Sequence, residues 1–241
     1  MPKQHLVSHL GRCKPDQRII DVLRRIACFI VIAVTMFFQP LIAKELPELV
    51  RQIKPATVGI GIYNPVNVPR IRLIGTGFVL APGNQVVTNH HVVAKDLSIE
   101  ATERYVVLVG QGANPTIVDI LRKDEDRSHD LAILTLQQPQ PHGLTLAADN
   151  SAEEGQSLAF TGFPITDVLG LYPATHRATL AAITPIMIPT PDSKNLDAIQ
   201  LKQLRNPFMV YQLDATAYPG NSGSPLYELS PGQVVGIINM V

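Results

Sequence analysis

The chain has 241 residues, of which 46% are hydrophobic and 17% charged, a balance that builds a packed core and excludes wholesale disorder. Its formal charge is zero, with 20 basic and 20 acidic residues, but residues 1–25 carry six basic against two acidic side chains, while the stretch from Lys44 onward carries fourteen against eighteen. A folded part with net charge −4 excludes an electrostatic surface for nucleic acid, which needs clustered Lys and Arg.

The first element is "IACFIVIAVTMFFQPLIA", residues 26–43, which holds no charge and follows Arg24 and Arg25. A basic leader, an apolar run and a small residue at Ala43 read as an export signal cut near Ala43-Lys44. The competing reading is a single uncleaved membrane anchor over 26–43, since eighteen helical residues span roughly 27 Å; a buried core helix is a third. Both cysteines, Cys13 and Cys28, fall in or before this segment, so an exported domain owes its stability to packing rather than to disulfides.

Residues 45–52 pattern as a short amphipathic helix. After them come short runs rich in Val, Ile and Thr, at 56–63, 75–82, 84–93, 104–110, 116–121 and 131–136, punctuated by Gly, Pro, Asn and Asp. That is the pattern of antiparallel strands. A polar stretch, 137–156, reads as a link, followed by further runs at 157–163, 175–183, 208–215, 224–229 and 233–241 and an irregular Pro-rich loop at 184–195. Two halves of about six strands each predict an all-β fold of two six-stranded antiparallel barrels, about 55–140 and about 155–241. A single β-sandwich is the alternative.

Three stretches carry candidate chemistry. Acyl transfer by serine needs an activated hydroxyl, a base held by an acid, and backbone N–H groups aimed at a developing oxyanion. "YPGNSGSPLY", 218–227, presents Ser222 between Gly220 and Gly223, whose lack of Cβ permits a tight turn. In such a turn the N–H groups of Gly220 and Ser222 can converge; alone, the tetrad is equally a surface turn. "VVTNHHVV", 86–93, supplies a histidine pair, and "SHDLAILTL", 128–136, places Asp130 at the mouth of an apolar strand. The three occur in the order His, Asp, Ser, with the acid 39 residues after His91 and the serine 92 after Asp130.

In order and in wording, "VVTNHHVV", "HDLAILTL" and "GNSGSPL" resemble the three motifs of the chymotrypsin-fold (trypsin-like) serine proteases, and the resemblance covers 55–241. "GTGFVL" before the histidines is similar to the HtrA-like branch, whereas "FTGFP" and "YQLDATAYPGNSGSPLY" are closer to the glutamyl endopeptidases. The signal or anchor at 26–43 predicts that the protein is exported, periplasmic or secreted; the resemblance implies a chymotrypsin-like double barrel for 44–241 and an endopeptidase acting on a protein or peptide substrate. It implies His91, not His90, as the base, Asp130 as the orienting acid, Ser222 as the nucleophile, and the N–H groups of Gly220 and Ser222 as the oxyanion hole, with no metal and no organic cofactor.

Thr216, Ala217, Tyr218, Ile238 and Asn239 are the residues the resemblance assigns to the substrate pocket. Ile238 stands where glutamate-specific relatives carry histidine, so a small or medium apolar side chain is expected before the cut. The resembled proteases continue beyond this point through one more strand and a C-terminal helix, so the second barrel is expected to be incomplete. A binding protein that has lost turnover is the alternative function, and an esterase a third. Oligomeric state is not legible in the sequence.

Overall fold

A computed structural model describes residues 46–97, 102–149, 151–165, 170–186 and 204–239. The apolar segment 26–43 and most of the Pro-rich loop lie outside the described residues. The chain enters through helix α1 (Leu46–Ile53), which buries Leu49 and Ile53, four residues apart on one face. Pro55 cannot continue the helical ladder, and a tight turn over Lys54–Ala56 leads into the first strand.

Six strands then follow without interruption by helix: β1 (Thr57–Tyr63), β2 (Ile71–Leu80), β3 (Gln85–Asn89), β4 (Arg104–Val109), β5 (Thr116–Asp126) and β6 (Leu131–Leu136). They close into a barrel in the order β1-β2-β3-β6-β5-β4, every pairing antiparallel. Closure leaves no free strand edge. It also requires sharp coiling, which the register shift at Ile60/Gly61 between β1 and β2 supplies. β6 shows the period-two pattern plainly, with Ala132, Leu134 and Leu136 buried and the residues between them half-buried. Full burial of an inward side chain such as Phe78 or Leu134 contributes about 1.5–3 kcal/mol.

The second half contains β7 (Ser157–Gly162), β8 (Ala174–Pro185), β9 (Met209–Asp214), β10 (Pro225–Glu228) and β11 (Val234–Ile237). They form a curled five-stranded antiparallel sheet in the order β11-β10-β7-β8-β9. Five strands, not six, are present among the described residues, so this half is an open half-barrel beside a closed one. The two share a core: Tyr227, Ala159 and Val234 of the second half belong to the same apolar cluster as Val58, Ile60 and Phe78 of the first.

Residues 137–149 are more than a link. Leu144 bridges to Leu80 and Leu146 to Val234 in parallel fashion. The bonds Leu144 N–H to Val79 C=O (2.8 Å) and Val234 N–H to Thr145 C=O (2.9 Å) stitch this segment to both sheets.

Candidate active site

Strand β3 ends at Asn89, and His90 and His91 leave it in a turn. Its register with β6 pairs Asn89 with Leu131, which sets Asp130 beside that turn. Asp130 engages the turn with all three of its oxygens. Its carbonyl accepts from His90 N–H at 3.0 Å and from Asn89 Nδ2 at 3.1 Å. Its Oδ1 accepts from His91 N–H at 2.8 Å, and its Oδ2 lies 2.6 Å from His91 Nδ1. The residue adopts a left-handed φ of +53°, a conformation that Asp reaches more readily than most residues because its short side chain bonds locally.

Burial is the largest influence on the Asp130 carboxyl and pushes it upward. The hydrogen bonds from His91, together with the charges of His91 and His90, outweigh burial and hold it below the usual carboxylate range. His90 faces elsewhere: its Nδ1 lies 3.2 Å from Glu125 Oε1 without the angle of a hydrogen bond. Glu125 is itself held low, first by its hydrogen bond from Lys123. The histidine pair is thus split, one ring on Asp130 and the other on Glu125.

Ser222, 8% exposed, sits in a turn between β9 and β10. Gly220 and Gly223 take φ of +98° and +90°, values closed to most side-chain-bearing residues. The turn is tied internally by Asn221 N–H to Tyr218 C=O (3.0 Å) and Ser224 N–H to Asn221 C=O (2.9 Å). Ile165 N–H donates to Pro219 C=O at 2.7 Å. Because a trans peptide points its C=O and N–H to opposite sides, this turns the Gly220 N–H away from Ile165. Among the described residues, the N–H groups of Gly220 and Ser222 have no protein acceptor. Ile165 makes its bond from a left-handed φ of +48°, a strain of order 1–3 kcal/mol for a β-branched residue.

The two halves of the site meet across β2. A Cβ placed on Gly75 would lie 2.7 Å from Cγ1 of Val92, the neighbour of His91, and 3.4 Å from the Ser222 carbonyl. The histidine turn and the serine turn therefore flank the same backbone position. Of the residues expected to line a substrate pocket, Thr216, Tyr218 and Asn239 are exposed and Ala217 half-buried. Ile238 is buried among Leu158, Phe160, Leu180 and Leu226, and its backbone pairs with the two residues that follow Ser222, accepting from Gly223 N–H and donating to Ser224 C=O, each at 2.9 Å.

Sequence reasoning passed over several residues around this turn. Thr76 and Thr88 are both buried; the Thr88 hydroxyl donates to the Thr76 carbonyl and the Thr76 hydroxyl donates to the turn at Gly220 C=O, and the available signal was a polar residue on the inward phase of an otherwise apolar strand. His176 also went unnoticed. It stacks on Phe160 with centroids 4.9 Å apart, lies 6.0 Å from the Tyr218 ring, and has its pKa lowered by burial.

Known proteins resemble this chain in sequence and in fold. The serine protease HTRA1A of Danio rerio is 30% identical over 199 residues, an alignment covering 79% of this chain and 35% of that protein. A probable periplasmic serine endoprotease, DegP-like, of Chlamydia trachomatis is 29% identical, covering 68% of this chain and 27% of that one. The chain thus spans about a third or less of the length of these curated relatives. Among solved structures, the active form of the Rv3671c protease from M. tuberculosis superimposes with a TM-score of 0.56 at 26% identity, covering 83% of this chain and 75% of that one. The named relatives fall on the HtrA side of the two branches that the motifs resemble. The family described as the trypsin-like peptidase domain matches residues 75–237, more than half of the chain, and with a chymotrypsin-like double-barrel architecture around that match, this protein belongs to the trypsin-like peptidase family.

Proposed function

We propose that the protein is a serine endopeptidase in which Ser222 attacks a peptide carbonyl, His91 takes its proton, and Asp130 fixes the His91 ring. The observation that carries this reading is the double grip of Asp130 on His91, at the backbone N–H and at Nδ1. A carboxylate on Nδ1 keeps the proton on that nitrogen, so Nε2 is the one that accepts the proton of a hydroxyl and later returns it to the leaving amine. An imidazolium formed in that step is stabilised by an acid that stays ionised, consistent with the depressed Asp130. The unbonded N–H groups of Gly220 and Ser222 would receive the oxyanion of the tetrahedral intermediate. An acyl-enzyme on Ser222 then forms and is hydrolysed by water through the same groups.

Its substrates are proteins or peptides, with a small or medium apolar side chain before the cut, because neither Ala217 beside the serine turn nor Ile238, buried behind it, brings a charge. Export is supported by the uncharged segment 26–43 behind a basic leader and by relatives whose names place them in the periplasm.

Fluorophosphonate labelling tests the mechanism. The wild type should take up the probe, and Ser222→Ala and His91→Ala should not. A folded wild type that takes up no label and cleaves no casein overturns the assignment in favour of a binding protein on the same scaffold.

A further inference from the structure

An oxyanion hole works only if its donors are held in place before the charge develops. The peptides flanking Ser222 therefore need external supports, and in this protein one residue from the other half of the molecule supplies two of them. Thr76, on β2, is 0% exposed. Its hydroxyl donates to Gly220 C=O at 2.6 Å, and its N–H donates to Ser222 C=O at 2.9 Å. The hydroxyl oxygen also accepts from Phe163 N–H at 3.0 Å, two residues before the Ile165 that holds Pro219. A hydroxyl has one proton to give and lone pairs to receive, and here both capacities are used.

Thr76 is itself braced. Its carbonyl accepts from Thr88 Oγ1 at 2.7 Å, and Thr88 lies on β3 three residues before His91. Both threonines press on the turn so closely that a Cβ on Gly223 would collide with the Thr76 carbonyl and come within 2.6 Å of Thr88 Oγ1. The chain of contacts thus runs from the strand carrying the histidine, through Thr88 and Thr76, to the carbonyls on either side of the candidate nucleophile.

We infer that Thr76 is a positioning residue for the peptidase reaction, its hydroxyl orienting the Gly220–Asn221 peptide so that the Gly220 and Ser222 N–H groups converge on the oxyanion. It touches no reacting atom, and the inference rests on the serine peptidase reading above. Removing the hydroxyl while keeping the shape leaves the backbone bond to Ser222 intact but strands two polar groups, Gly220 C=O and Phe163 N–H. The turn then has to relax to satisfy them.

The test is a series at position 76 assayed on a chromogenic peptide and a peptide aldehyde, whose hemiacetal carries the oxyanion. Thr76→Val should lower kcat about 10- to 100-fold with KM little changed, less than the loss seen when an oxyanion donor is deleted outright. The aldehyde should weaken in proportion to kcat/KM, and Thr76→Ser, which keeps the hydroxyl, should recover most of both. A purely structural role would shift the melting temperature without that proportionality. Folded Thr76→Val with wild-type kcat and aldehyde affinity overturns the proposal while leaving the peptidase reading intact. A wild type inert to both substrate and fluorophosphonate overturns the peptidase reading itself. Should Thr76→Val not fold, Thr76→Cys replaces it, since the thiol is similar in size and a weaker donor; equal kcat for the Ser and Cys variants would then count against the proposal.

Discussion

Asp130 does three jobs with one side chain and one carbonyl: it closes the turn after β3, fixes the His91 ring, and stays ionised despite partial burial. Replacing it with Asn keeps the shape but removes the charge and allows the wrong imidazole tautomer, so Asp130→Asn should lower turnover by about 10⁴-fold while the protein remains folded; steady-state hydrolysis beside circular dichroism checks both halves of that statement. The same carboxyl sets a pH dependence of stability. Its folded pKa lies below its unfolded value of about 3.9, so the unfolded chain binds the proton more readily than the folded one. The stabilisation is therefore complete above about pH 4 and is lost as pH falls through the folded value. Urea midpoints of the wild type and Asp130→Asn should differ most at neutral pH and converge in acid; a gap that widened on acidification would contradict this.

At the scale of elements, the serine turn is a loop clamped between two sheets, and Gly223 is where the clamp is tightest. It combines a φ of +90° with the Thr76 carbonyl and the Thr88 hydroxyl where a Cβ would stand. Gly223→Ala should therefore abolish fluorophosphonate labelling and lower the melting temperature, whereas the mirror change at Gly155, which has a φ of +86° but open space around it, should cost only its backbone strain. All eleven strands among the described residues were legible, at least in part, as short alternating or apolar runs, and β3 and β6 carried the histidine and the acid to their ends as the spacing suggests. β5 was read only over 116–121, because the five residues from Arg122 to Asp126 are all charged. They are nonetheless strand residues on the outer wall of the barrel, paired with Leu131 to Thr135, where charge is no obstacle to pairing. The threonine relay was not legible. Thr76 and Thr88 are ordinary strand formers by composition, and the partner that gives Thr76 its meaning is 144 residues away.

The molecule as a whole is held together by a shared core and by the segment that joins its halves. Leu144, 7% exposed, sits in the main apolar cluster while its backbone bonds to β2. Leu144→Ala should destabilise the protein by about 2–5 kcal/mol and reduce labelling of Ser222 although it lies outside the site, a change read by paired denaturation and labelling curves. If stability fell without any loss of labelling per folded molecule, the link would be a staple only. The order of the chain adds a consequence in time. The closed barrel that contains the His91–Asp130 pair is complete by Leu136, whereas Ser222 and the turn that Thr76 grips come almost ninety residues later. Domains emerge from the ribosome N-terminal end first, so on the proposed mechanism a chain being synthesised owns its base long before its nucleophile. It stays chemically silent toward its neighbours until the strands around Ser222 dock.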